Sequence, residues 1–168
     1  MKKLASERNR IYLEREKLSV GYLLAGFPEK EGFLPLLTGC EKAGLDIFEI
    51  GYPSRNPAAD GEVIRNAHSL VDLTIQTDLG YWEKIRDAVN APIWIMAYQE
   101  DLIDSGFYRL LAQRGLADAF VVPGIPLERR LELLEELRPY GVDVMGFVDP
   151  EMNPEEQEAC FDAFPLIY

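Results

Sequence analysis

The sequence predicts an α/β fold in which a parallel sheet of apolar strands is covered by helices. Two observations predict it. One unit recurs along the chain: a short apolar strand, a loop, an amphipathic helix and a glycine. The helix exits also resemble one another: Lys42-Ala43-Gly44-Leu45-Asp46, Arg114-Gly115-Leu116-Ala117-Asp118 and Tyr140-Gly141-Val142-Asp143. Apolar strands alternating with helices imply a parallel sheet buried on both faces. Right-handed crossovers then leave a barrel or a doubly wound sheet. No Gly-x-Gly-x-x-Gly follows any strand, which weighs against a dinucleotide-binding sheet.

Each element has its own signal. Ser6–Lys17 is expected to form a leading helix that could plug the bottom of a barrel. Ser19–Leu24 reads as the first strand, broken by Gly26-Phe27-Pro28, and Phe33, Leu36, Leu37 and Cys40 follow at helical spacing. Gly44 stops that helix, as glycine does where the backbone needs positive φ, and Asp46–Ile50 is the second strand. Ile93–Ala97 is a strand, Phe107, Leu110 and Leu111 mark a helix, and Ala119–Val122 is a strand bounded by Pro123 and Gly124. Leu127, Leu131, Leu134 and Leu137 form a stripe, with Glu128, Arg129, Arg130 and Glu135 expected on the wet side. Val142–Val148 is a fifth strand. Asn153, Pro154 and Glu156 supply an N-cap, a first helical position and an N3 partner. Phe164–Tyr168 begins a sixth strand. Because Pro165-Leu166-Ile167-Tyr168 is apolar and mid-strand, a truncated reading frame is the expectation. No linker or shift in composition divides the chain, so residues 1–168 read as a single partial domain.

Composition bounds the function. The chain has 168 residues, 48% of them hydrophobic, and carries a formal charge of −12 from 17 bases and 29 acids. Such a surface repels nucleic acid and anionic lipid, although a local site could still take a phosphorylated small molecule. Cys40 and Cys160 make neither a metal spacing nor a disulfide framework. The N-terminal stretch, Met1 to Lys17, is charged and lacks a signal peptide's apolar run. No segment approaches the ~20 apolar residues that span a bilayer. A cytoplasmic protein is the expectation.

The densest segment is Ile47-Phe48-Glu49-Ile50-Gly51-Tyr52-Pro53, followed by Ser54-Arg55-Asn56-Pro57-Ala58-Ala59-Asp60-Gly61. Glu49 lies inside an apolar strand, where a carboxylate is costly unless it has a partner or a task. Burial would raise its pKa toward the range useful for proton transfer. A salt-bridged or sheet-end glutamate is the alternative. Asp60 precedes an apolar helix and could be a plain cap. In a barrel, however, active sites lie on the loops after strands, so both acids would face one rim. Two carboxylates in different surroundings can divide acid and base roles. His68 reads as a packing or surface residue, and Trp82 and Trp94 as core.

Glu49-Ile50-Gly51-Tyr52-Pro53 with Pro57-Ala58-Ala59-Asp60-Gly61 resembles the signature of the tryptophan synthase alpha chain family, which typically reads E-L-G-x-P-F-S-D-P-x-A-D-G-P here. Tyr22-Leu23-Leu24-Ala25-Gly26-Phe27-Pro28 resembles its first strand and loop. Ala43-Gly44-Leu45-Asp46 and Val121 to Pro126 resemble two further stretches in the same order. The resemblance implies a TIM-type (β/α)8 barrel, here an incomplete barrel of about six βα units with an N-terminal helix. A typical barrel of this kind has ~250 residues. It also implies retro-aldol cleavage of indole-3-glycerol phosphate to indole and glyceraldehyde 3-phosphate, with no cofactor and no metal. Glu49 would be the acid/base at indole C3 and the glycerol hydroxyl. Asp60 would meet the indole N–H as positive charge develops there. Tyr22, Ile95 and Phe147 would line the substrate. Ser54, Arg55, Asn56 and Pro57 would form the loop that docks the partner, a tryptophan synthase beta chain.

The departures from the family pattern lie close to the site. The family's F-S-D is Ser54-Arg55-Asn56, its first-loop threonine is Leu24, and its third-strand tyrosine is Ala97 with Tyr98 one place on. Its aspartate after the fourth strand is Gly124, and the proline after Asp60-Gly61 is Glu62. The family's phosphate loops, after later strands, have no counterpart here. A catalytically impaired docking partner or gene fragment is therefore the alternative. An unclosed barrel is also expected to self-associate through open edges.

Overall fold

A computed structural model describes residues 3–168; Met1 and Lys2 of the charged N-terminal stretch lie outside the described residues. The chain runs α1 (Glu7–Tyr12), β1 (Val20–Leu24), α2 (Lys30–Lys42), β2 (Ile47–Gly51), α3 (Glu62–Leu70), α4 (Leu79–Ala88), β3 (Ile93–Met96), α5 (Phe107–Gln113), β4 (Ala119–Val121), α6 (Leu127–Leu137), β5 (Asp143–Val144) and α7 (Pro154–Ala163). The strands form one sheet in the order β1-β2-β3-β4-β5, every pair parallel. Sequential order with parallel pairing is the topology of a barrel wall, not of a doubly wound sheet.

The ends of the elements follow from local chemistry. The Ser6 hydroxyl accepts from Asn9 N–H at 3.2 Å to cap α1, and Asn153 caps α7 by accepting from Glu156 N–H at 2.9 Å. Gly44 and Gly115 leave their helices at φ 100° and 65°, where a Cβ is disfavoured. The leading helix is shorter than the predicted Ser6–Lys17. Past Tyr12 the segment makes contacts that a straight helix would not reach. Leu13 and Leu18 join the cluster on the inner face of the sheet, and Arg15 Nη1 meets Asp46 Oδ1 at 2.6 Å.

Alternation along the strands divides the core in two. Phe48, Ile50, Ile93, Ile95 and Phe120 pack outward against helix residues such as Phe33, Leu37 and Leu111. Ile47, Trp94, Ala119, Val121 and Met145 form a second cluster on the opposite, inner face. The predicted fifth strand, Val142–Val148, is regular only at Asp143–Val144. Gly146 is the reason: a Cβ there would come within 2.9 Å of Phe164 and 2.8 Å of Ile167, so the backbones approach too closely for an ordinary ladder. The predicted sixth strand is correspondingly a single parallel bridge, Gly146 to Ile167, with Tyr168 N–H donating to the Gly146 carbonyl at 2.8 Å.

The strands' N-terminal ends are closed by α1. Asn9, fully buried, donates from Nδ2 to the Asp118 carbonyl (3.0 Å) and to Asp143 Oδ2 (2.8 Å), and its Oδ1 accepts from Trp94 Nε1–H (2.9 Å). Asp143 Oδ1 accepts from Ala5 N–H, and Asp118 accepts from the Ser6 hydroxyl and from Arg86. The plug expected at the bottom of the barrel is thus a hydrogen-bonded network, and it leaves the opposite rim free for chemistry. One expectation fails on α6. Arg130 is not on the wet side but only 5% exposed, stacked over Phe147 and Phe164 at 5.3 and 5.9 Å. A planar guanidinium tolerates such apolar company better than an ammonium.

Candidate active site

Glu49 is the third of five residues in β2 and falls between the outward-facing Phe48 and Ile50, so it points inward. It is 5% exposed. The salt-bridge alternative does not hold, since no cation pairs with it among the described residues. Its Oε1 has no hydrogen-bond partner, and Oε2 meets only the Tyr168 hydroxyl at 3.5 Å. Burial pushes the carboxyl above its ordinary pKa, and the Tyr168 contact pulls it back only weakly. A buried carboxyl with an idle oxygen and a pKa raised by burial holds its proton more tightly than a free carboxyl does, which suits a general acid.

Across the ladder from Glu49 lies Tyr22 on β1. Burial raises its phenol pKa, and the negative charges of Asp60 and then Glu49 add to the shift. Tyr22 therefore sits in the field of both acids. Its hydroxyl lies over Gly51, where any Cβ would collide with it. The glycine of the Glu49-Ile50-Gly51 motif thus makes room for the tyrosine.

Next to them is a cavity of about 450 Å³ lined by Tyr22, Tyr52, Asp60, His68, Met96 and Tyr98, among others. Its volume and mostly apolar wall suit a small aromatic ligand. Asp60 supplies the acid. It is not a helix cap, because Gly61 occupies the N-cap of α3 and makes no side-chain bond. Instead Asp60 Oδ2 accepts from the Tyr98 hydroxyl at 2.7 Å, and Tyr98 in turn accepts from Ala59 N–H at 3.0 Å. Burial, and then the bond to Asp60, push the Tyr98 phenol up to about 12, so it remains a donor.

The expected site residues are only partly brought together. Tyr22 and Asp60 line the cavity, and Glu49 adjoins Tyr22 on the inner face. Phe147 also faces inward, stacked on Tyr168 at 5.0 Å. Ile95 does not belong with them: it is fully buried in the outer, helix-facing core, and Met96 beside it reaches the cavity. A strand alternates faces at every residue, so an offset of one position reverses the assignment. In the docking loop Arg55 and Asn56 are exposed and Pro57 half-buried, but Ser54 turns inward, 2% exposed, with its N–H on His68. Sequence reasoning missed His68 and Met96 as members of the site. Tyr98 was flagged only as a displaced tyrosine, and no local signal marks Tyr168 as the neighbour of Glu49. No group of three or more metal-ligating side chains occurs among the described residues.

Comparison with known proteins agrees with this geometry. The family model described as tryptophan synthase alpha chain matches residues 9–163. Curated relatives include the tryptophan synthase alpha chains of Roseiflexus castenholzii, 32% identical over 84% of this chain and 56% of that protein, and of Aquifex aeolicus, 34% identical over 80% and 53%. The chain thus spans little more than half the length of these relatives. Among solved structures, a tryptophan synthase from M. tuberculosis in an aminoacrylate-bound form superposes with a TM-score of 0.82 at 23% identity, covering 97% of this chain and 70% of that one. A structure from Aquifex aeolicus gives 0.78 at 28% identity, covering 96% and 66%. With the parallel sheet, the plugged base and the match over residues 9–163, the chain belongs to the tryptophan synthase alpha chain family.

Proposed function

We propose that residues 1–168 are one partial barrel domain carrying the indole-handling half of a carbon–carbon lyase site for indole-3-glycerol phosphate. The observation that carries this reading is Glu49, a buried inward carboxyl with an unpartnered oxygen and a raised pKa. It supports an acid that protonates indole C3. The ring nitrogen then gains positive charge, and Asp60 at the cavity wall stabilises it through the N–H. Glu49, left as a carboxylate, then takes the proton of the adjacent glycerol hydroxyl; the carbonyl forms, the carbon–carbon bond to C3 breaks, and its electrons neutralise the ring cation. The products are indole and glyceraldehyde 3-phosphate. Each of these steps uses a side chain, with no cofactor. Proton transfer of this kind contributes ~10²–10⁴-fold, and only for a substrate held in place.

Holding it is the weaker half of the site. In the proposed reading the phosphate is anchored by later βα units, as helix N-termini do in such barrels. The 168-residue chain is therefore expected to cleave the substrate very poorly. Supplying the seventh and eighth βα units as a fusion or a separate fragment should restore turnover, and Glu49→Gln should then abolish most of it. A completed barrel that binds substrate and turns over equally well with Glu49→Gln removes Glu49 from the mechanism.

A second reading, a docking partner without turnover, is favoured by the loop itself. Arg55 and Asn56 are exposed, in the segment that by family resemblance meets a beta chain. Capture of a tryptophan synthase beta chain by the 168-residue chain, lost on reversing charge at Arg55, would support it.

A further inference from the structure

His68 lines the same cavity as Asp60, yet the proposed chemistry gives it no task. It is the chain's one histidine and only 4% exposed, although its helix α3 is otherwise open to solvent at Val63 and Leu70. Both ring nitrogens have defined neighbours. Ser54 N–H donates to Nδ1 at 2.9 Å, and Nε2 faces Asp60 Oδ2 at 3.8 Å. A nitrogen that accepts from an amide carries no proton, so the neutral ring bears its hydrogen on Nε2, toward Asp60. Burial favours that neutral ring, against the smaller opposing pull of Asp60 and Asp101.

Two groups near Asp60 share one oxygen. The Tyr98 hydroxyl donates to Oδ2 at 2.7 Å, and His68 Nε2 lies closest to the same oxygen at 3.8 Å, a polar contact longer than a hydrogen bond. No hydrogen bond among the described residues reaches Oδ1. A carboxylate held by one oxygen presents the other in a fixed direction.

We infer that His68 is a positioning residue: one imidazole joins the backbone of the 53–57 loop to Asp60 and turns Oδ1 toward the cavity to receive a ring N–H. This rests on the reading of Asp60 as the partner of an indole nitrogen. A residue that merely filled space would be replaced by any ring of similar size. A positioning residue needs an acceptor on one side and a donor on the other, and single substitutions separate the two. Asn in place of His68 keeps an acceptor near Nδ1 and drops the Nε2–H. Gln places an amide N–H near Nε2 and drops the acceptor. Phe keeps a ring and drops both.

The test uses the 168-residue chain, with amide hydrogen exchange at Ser54 and Ala59 and titration with indole as readouts. His68→Phe should speed exchange at Ser54 ~5–10-fold, the loss of about one net hydrogen bond, and should speed exchange at Ala59 and weaken indole binding by a smaller ~2–5-fold, the loss of a polar contact at 3.8 Å. His68→Asn should keep Ser54 protected and weaken indole; His68→Gln should do the reverse. Should His68→Phe fail to fold, the Asn and Gln pair and the wild-type ring nitrogen shifts still decide. If His68→Phe leaves Ser54, Ala59 and indole unchanged, or if the wild-type ring carries its proton on Nδ1, the positioning role is overturned. Asp60→Asn binding indole as wild type, while His68→Phe still frees Ser54 and Ala59, would sink the functional reading and leave the coupling standing.

Discussion

Glu49→Gln and Glu49→Met should make the folded chain more stable at neutral pH. In the native state a carboxylate is held at 5% exposure with Oε1 unpartnered and Oε2 touching only Tyr168 at 3.5 Å. A buried polar atom without a partner costs ~1–3 kcal/mol, more when charged, and replacing it by an apolar group of similar shape is neutral or stabilising. The methionine variant should therefore gain ~1–3 kcal/mol and the glutamine variant about 1 kcal/mol, since its amide still lacks a full set of partners. At this chain length each kcal/mol moves the melting temperature by roughly 2–4 °C. The pH dependence follows from the direction of the pKa shift. Glu49 is raised in the folded state, so the folded chain holds that proton more tightly than the unfolded chain. Wild-type stability then falls as pH rises from the unfolded value of 4.5 through the raised folded value. The variants' advantage should be largest at pH 8 and shrink toward about pH 4, near the free carboxyl value, where only the cost of the neutral unpartnered carboxyl remains. Urea unfolding at pH 4 and pH 8, followed by tryptophan fluorescence, measures it. A variant less stable than wild type at pH 8, or an advantage of equal size at both pH values, would refute a strained, task-bearing Glu49.

Asn9→Ala should be strongly destabilising, by ~3–5 kcal/mol, because it removes three buried hydrogen bonds and orphans the Trp94 N–H; chemical denaturation checks this. Tyr98→Phe deletes the donor to Asp60 and the acceptor for Ala59 N–H, and should weaken indole binding ~5-fold in a titration, about 1 kcal/mol. Gly51→Ala should push the Tyr22 ring aside and cost ~1–3 kcal/mol as overpacking, visible in thermal melting. The 168-residue chain should self-associate, because β1 has a free outer edge among the described residues and Val20 on it is 50% exposed. Sedimentation velocity across a concentration series that shows a lone monomer throughout would contradict this.

Periodicity made most of the wall legible. Four strands and most of the helices between them follow from apolar runs and from the glycines at helix exits, and Asn153 was readable as a cap; the helix Leu79–Ala88 went unread. What resisted reading depends on parity and on distant contacts. Ile95 and Met96 are equally apolar, and nothing local says which one faces the cavity. Arg130 reads as solvated until the rings of Phe147 and Phe164 fold over it. The shortened fifth strand depends on Gly146 meeting Phe164 and Ile167. The acids Glu49 and Asp60 stand out by residue type, one in an apolar strand and one closing a turn-rich loop. His68 does not, because its meaning comes from Ser54, fourteen positions earlier and across a loop.

The plug at the base has a consequence for the order of folding. Ala5, Ser6 and Asn9 find their partners at Asp118 and Asp143, up to 138 residues further along. Chains grow at ~5–20 residues per second, so the first helix made waits on the order of ten seconds for the segments that receive it. A turn of helix relaxes in under a microsecond and cannot be stable alone at six residues. The beginning of the chain is therefore among the last parts to dock, and closing that long loop belongs to the slow phase of folding. Trp94, whose indole N–H meets Asn9 only then, is placed to report it.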